Sequence, residues 1–144
     1  MKSIEILNYL LFIKNIEIKL LYIFYIKYIK YIKNMVKIDN TFENNPIAIG
    51  ENQKDNDMII SKSKQTDVWF HLANLPSCHV ILSCTKKHPV TKKMIKYCAA
   101  LVKQHTKYRN IKKIKVNYTT IKNIRKTGVK GEVIIKGKVS GFVV

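Results

Sequence analysis

The sequence is poor in acids, glycine, proline and cysteine, and each shortage excludes a class of function. Its 144 residues include 9 Asp and Glu, 5 Gly, 3 Pro and 3 Cys. From Val68 onward the one acid is Glu132, so a hydrolase built on paired carboxylates has no groups to use there. No Gly-x-Ser-x-Gly turn and no glycine-rich phosphate cradle occurs, which removes the common hydrolase and nucleotide-binding signatures. Cys78, Cys84 and Cys98 are odd in number and lie in strand-like or helix-like stretches. They read as buried free thiols of a reducing compartment rather than as a disulfide framework. His71, His79, His88, Cys78 and Cys84 contain no pair at the spacing structural zinc favours, and adjacent Cys78 and His79 point to opposite sides of a strand. No metal or other cofactor is therefore expected. His71 and His79 could act as an acid–base pair in RNA cleavage, but two strand histidines hydrogen-bonded beside a packed tryptophan is the simpler reading. No enzyme is expected.

What the chain has in excess is positive charge. Lys and Arg number 27, giving a formal net charge of +18, and 17 of them follow Thr85. An ordinary solvated surface mixes both signs. This one attracts polyanions, either nucleic acid or an anionic membrane surface.

The first segment, residues 1–34, has no Ala or Gly and holds nine Ile and five Tyr, ending in three Tyr-Ile-Lys triplets from Tyr25 to Lys33. Glu5, Lys14, Glu17 and Lys19 interrupt it too often for a membrane span, and it lacks a small-residue cleavage site for a secretory signal. A period of three drifts around a helix instead of holding one stripe. Its residues have mostly A/T-rich codons, so the segment reads as translated leader sequence with Met35 as the working start; an interfacial helix is the second reading. The alphabet widens at Val36, and residues 35–144 read as one domain.

Within that domain, Val68, Phe70 and Leu72 alternate against Trp69 and His71, and Cys78, Val80 and Leu82 against His79, Ile81 and Ser83. The pattern predicts two strands around a turn at Ala73–Ser77, apolar on both faces. Residues 36–45 are polar and predicted irregular, Pro46–Gly50 is a short strand, and Glu51–Asp57 reads as a turn-rich loop. Thr91 is a predicted N-cap, followed by an apolar stripe of Met94, Ile95, Cys98, Leu101, Val102 and His105. Lys92, Lys93, Lys96, Lys103 and Lys107 lie mainly off that stripe, and none has an acid four residues away. Ile114, Val116 and Tyr118 mark a further strand, 122–129 a basic loop, and 132–136 with 138–144 a hairpin. The fold class is α+β: a mainly antiparallel sheet with one principal amphipathic helix packed on it, plus an N-terminal helical extension.

Asp67-Val-Trp-Phe-His71 followed by Pro76-Ser-Cys-His79-Val-Ile-Leu resembles the signature of the NFACT RNA-binding domain family. Val116-Asn-Tyr118-Thr119 with its ending Asn123-Ile-Arg-Lys126, the strand Gly131–Ile135, and the polar pair Asn56-Asp57 are similar to later and earlier family features. The matches cover about residues 46–144. Where the family has Gly-Ser before its second histidine, this chain has Ser77-Cys78. The resemblance implies RNA binding in proteins of ribosome-associated translation, including rescue of stalled large subunits, and marks Asp67, Trp69, Phe70, His71, His79, Tyr118 and Thr119 as motif residues. No N-terminal domain, helix-hairpin-helix or coiled coil of the larger members is seen in these 144 residues, so the chain looks more like the small standalone members, related to the coiled-coil domain-containing protein 25 group.

The expected activity is a non-catalytic, cytoplasmic nucleic-acid-binding module. Its partners are RNA (tRNA or rRNA, with DNA an open alternative) and the ribosome. Lysines and arginines would neutralise phosphates, and tyrosines stack on unpaired bases. The expected contacts are Lys122, Arg125 and Lys126 first, then Lys92, Lys96, Lys103, Lys107, Arg109, Lys112 and Lys113, with Tyr97 and Tyr108. The alternative reading is a membrane-surface protein that inserts its Ile- and Tyr-rich leader and meets anionic lipid with its basic face.

Overall fold

A computed structural model describes residues 2–33 and 35–144; Met1 and Asn34, the ends of the expected leader, lie outside the described residues. The chain divides into two compact units, Met1–Met35 and Val36–Val144.

The first unit is one 32-residue helix, α1 (Lys2–Lys33). It contains no Gly or Pro to break it, and Glu5 in its first turn complements the helix dipole. The triplet repeat carries its apolar residues around the whole circumference. Among the described residues no helix is long and apolar enough to cross a membrane.

The second unit is built on a six-stranded antiparallel sheet. Its strands are β1 (Lys37–Asp39), β2 (Ile47–Gly50), β3 (Val68–Leu72), β4 (His79–Leu82), β5 (Lys115–Thr120) and the last strand (Ser140–Val143), in spatial order β1-β2-β4-β3-β5-last. β3 is central, pairing Trp69 with Ile81 on β4 and His71 with Asn117 on β5. Two helices join the sheet, α2 (Gln53–Lys62) and α3 (Lys92–Gln104). Two further short strands, β6 (Ile124–Lys126) and β7 (Val133–Ile135), form a separate ribbon, which makes Ser140–Val143 β8 in chain order.

Alternation along β3 decides which elements cover which face. Val68, Phe70 and Leu72 join Val80, Leu82 and Val116 in a core closed by Cys98, Leu101 and Val102 of α3. Phe70, Val80, Leu82, Val102 and Val116 are fully buried, and each such side chain contributes about 1.5–3 kcal/mol of transfer free energy. Trp69 and Ile81 face the other way, into a smaller cluster with Ile59 and Ile60 of α2 and Ile121 and Ile124 at the entry to β6. α3 starts where its cap predicts, the Thr91 hydroxyl accepting from the Met94 N–H at 3.3 Å.

Four local expectations differ from the structure. The acidic loop at 51–57 is largely the start of α2. Asn52 caps it by accepting from the Asp55 N–H and donating to its carboxylate, each at 2.9 Å, and burial of Asn56, Ile59 and Ile60 holds it to the sheet. Polar residues 37–39 form the edge strand β1, because β2 offers an open edge to pair with. The basic loop at 122–129 begins with a 3-10 turn (Ile121–Asn123) and strand β6, whose Ile121 and Ile124, three apart, are both buried. The C-terminal hairpin is absent: β7 pairs with β6, and β8 returns to β5. The Lys136 N–H donates to the Asn123 carbonyl at 2.8 Å and the Thr119 hydroxyl donates to the Lys138 carbonyl at 2.7 Å, which leads the chain from one sheet to the other.

Candidate nucleic-acid interface

On the face away from α3, the ends of β3, β4 and β5 and the β6–β7 turn enclose an open groove of about 690 Å³, floored by Trp69, His71 and His79. Trp69 and His79 are almost entirely buried, and His71 is half-buried. The Trp69 indole N–H donates to His79 Nδ1 at 3.1 Å, and the Asn56 side-chain oxygen accepts from the His79 backbone N–H at 3.1 Å. His71 lies parallel to Trp69 with ring centres 5.5 Å apart, and edge-on to His79 at 4.8 Å. Burial, then the neighbouring His71, pushes the His79 pKa down to about 3, and burial also lowers that of His71. Both are neutral at physiological pH.

Their tautomers follow from their partners. His79 Nδ1 accepts the hydrogen bond from the Trp69 indole N–H, so its Nε2 carries the hydrogen. His71 Nδ1 lies 2.8 Å from the Leu72 carbonyl, an acceptor, so the Nδ1 of His71 is protonated and its Nε2 is a free acceptor. No fully buried side-chain nitrogen or oxygen among the described residues lacks a partner. His79 Nε2, which has none among the described residues, therefore opens to the groove that His79 lines. Two glycines permit this packing. A Cβ at Gly50 would collide with Asn56, and Gly131, at φ +77°, brings the β6–β7 turn so close to α2 that a Cβ would sit 2.9 Å from the Gln53 backbone.

The other motif residues serve the fold. Asp67 accepts from the Lys64 N–H at 2.8 Å and the Cys84 N–H at 3.1 Å. Phe70 packs in the α3 core beside Tyr118, ring centres 5.7 Å apart, and Thr119 anchors the chain entering β8. The three cysteines are buried and unpaired. Burial raises Cys78 to about 12, Cys84 to about 11 and Cys98 as well, so none is a thiolate at neutral pH.

The basic residues separate into two groups. Lys92, Lys96 and Lys103 share one side of α3, within about 40° on a helical wheel. Lys107, Arg109, Lys112 and Lys113 follow on the exposed link to β5, with Lys107 over the Tyr108 ring at 5.2 Å. All of these belong to α3 or its continuation, whereas the groove opens on the opposite face of the sheet. Lys122 is exposed in the 3-10 turn, and Arg125 donates to the Lys122 and Ile124 carbonyls at 3.1 and 3.0 Å. Lys126 is paired with Asp57 at 3.0 Å and bonded to Ser61, which ties β6 to α2. Tyr97 donates to Asp39 at 2.8 Å and packs edge-on to Phe42, and Tyr108 packs against the α3 core. Both rings are thus engaged within the chain. Asn56, Asn74, Asn117 and Lys130 line the groove although only Asn56 was marked by sequence. Asn117 carried no such signal, because it lies with Lys115 and Thr119 on the polar side of β5.

The fold and this surface define a small basic α+β module in which a sheet is closed by a helix on one face and carries a neutral, amide-lined groove on the other. Residues 29–141 match the family described as NFACT protein RNA binding domain, and the chain belongs to that family. Among solved structures it is similar to the C-terminal part of the fibronectin/fibrinogen-binding protein from Streptococcus suis, at 25% identity and a TM-score of 0.62. That similarity covers 69% of this chain and 41% of the streptococcal one, so this chain spans about two fifths of that relative's length. No curated protein matches.

Proposed function

We propose that this chain is a non-catalytic RNA-binding module acting in the cytoplasm with tRNA or ribosomal RNA, near the ribosome. The observation that carries the reading is the family match over 29–141, joined to a domain surface on which most lysines and arginines have no acidic partner. Ion pairs within 4.0 Å tie Lys37 and His105 to Glu51 and Lys126 to Asp57; among the described residues no other side chain of these types is so paired. Charges left free of intramolecular partners are available to phosphates, and releasing the counterions of the RNA drives association. The match to an RNA-binding domain family supports a non-catalytic role.

The test is a titration of mixed-sequence single-stranded RNA at several salt concentrations. With about five phosphates contacted, log K falls against log salt with a slope near −3.5, at about −0.7 per contact. A flat response would remove the electrostatic basis of the reading. A membrane-surface role for α1 predicts instead that binding to anionic vesicles collapses when residues 1–34 are deleted while RNA binding persists.

A further inference from the structure

We propose that the groove over Trp69, His71 and His79 takes one unpaired nucleobase of a bound RNA strand, while the lysines hold the backbone. This rests on the RNA-binding reading and adds to it the form of RNA recognised.

Four observations lead there. His79 is only 4% exposed, yet its Nε2–H has no partner among the described residues and opens on the groove. A donor fixed in this way and facing the groove is available to an acceptor on a ligand. Second, the free groups are of both kinds and fixed: His79 Nε2–H donates, His71 Nε2 accepts, and the Asn117 amide, opposite His71 in register, offers both. A nucleobase edge presents donors and acceptors side by side and is read by such groups, whereas a phosphate presents only acceptors.

Third, the groove is nearly uncharged inside a chain of net charge +18. Its lining holds one lysine, Lys130, and one carboxylate, Glu132, itself hydrogen-bonded. A phosphate site would concentrate the cations that this groove excludes. Fourth, its volume of about 690 Å³ lies in the general range of small-molecule sites, ample for a base, and it is open along one side, as a base still joined to its strand requires. A paired base inside a duplex could not enter, so the preference is for single-stranded or looped RNA.

The chain has one tryptophan, and it lies in the floor of the groove, so its emission reports occupancy. The full chain is titrated with a short dye-labelled single-stranded RNA and with the same ribose-phosphate strand lacking its bases. Both strands should bind by anisotropy, the base-bearing one about tenfold more tightly, a lower-range value for one stacked base, and only that strand should change Trp69 emission. Asn117→Leu should erase the difference without weakening the abasic strand. Equal affinity for the two strands with no response from Trp69 overturns the groove while leaving RNA binding intact. Binding of neither strand overturns both. Free nucleosides at the strand's concentration should leave Trp69 unchanged; an equal response to them would place a metabolite, not a strand, in the groove and overturn the proposal. The comparison of the two strands uses the unaltered protein, so it stands even if Asn117→Leu fails to fold.

Discussion

The two faces of the central strand β3 are made from alternate residues of one five-residue segment, and they have opposite characters. Val68, Phe70 and Leu72 face α3 in an entirely apolar core. Trp69 and His71 face α2 and the β6–β7 ribbon, where apolar packing ends at a groove with polar edges. One face is closed by a continuous helix. The other is covered by a ten-residue helix and a ribbon of two three-residue strands, which leave a gap between them. Stability resides mainly on the first face, and the second can present chemistry because it is incompletely covered.

Substitution on each face gives the largest contrast. Phe70→Ala should cost about 3–5 kcal/mol through the cavity it leaves, a large share of the roughly 5–15 kcal/mol that holds an ordinary domain together. His71→Ala, on a half-buried side chain with one backbone hydrogen bond, should cost about 1 kcal/mol and act chiefly on RNA binding. Urea midpoints measured for both variants check this. Similar losses from the two would mean that the groove face is also core.

The next effect is in pH. His79 is neutral in the folded chain with a pKa near 3 and titrates near its ordinary value once unfolded. Below about pH 6.5 the unfolded state therefore binds the proton that the folded state refuses, so stability is full above that pH and declines as pH falls toward 3. The slope approaches ~1.4 kcal/mol per pH unit for this one group. Between pH 6.5 and 4.5 the thermal midpoint should fall for the unaltered chain and fall less for His79→Asn. Parallel curves would show that some other group controls the decline.

Charge reversal sharpens the comparison for binding. Sequence placed Lys122, Arg125 and Lys126 together in a loop, but Lys126 is committed to Asp57 and Ser61. Replacing Lys126 in that set by Lys130, which lines the groove, gives a triple reversal to Glu that should weaken RNA binding more than reversing Lys92, Lys96 and Lys103. The change in net charge is the same, so equal losses in a binding titration would show that only total charge matters. The smallest effect belongs to α1: a chain starting at Met35 should have the thermal midpoint of the full chain, and a loss of several degrees would mean that the helix contributes to the domain.

Legibility in the sequence followed the range of the interactions. β3, β4 and α3 could be read because their signals are local: alternation from Val68 to His71, and Thr91 capping a stripe that runs to Val102. α2 could not, because its first turn is Asn- and Asp-rich and only the burial of Asn56, Ile59 and Ile60 against the sheet makes it a stable helix. β6 was hidden by lysines, and the pairing of β8 with β5 instead of β7 is a tertiary choice no local pattern encodes. The site followed the same rule. Trp69, His71 and His79 stood out as a motif, but Asn117 and Lys130 join them only because β5 pairs with β3 and the β6–β7 turn folds over the groove.

The central claim is that RNA meets the face of the sheet opposite α3. Ultraviolet crosslinking of the full chain to single-stranded RNA, followed by mass-spectrometric mapping of the linked residues, tests it most directly. The account predicts crosslinks within 69–79, 117 and 122–135. Crosslinks confined to α3 and its continuation through Lys113 would contradict it and give the RNA-binding role to the helix face.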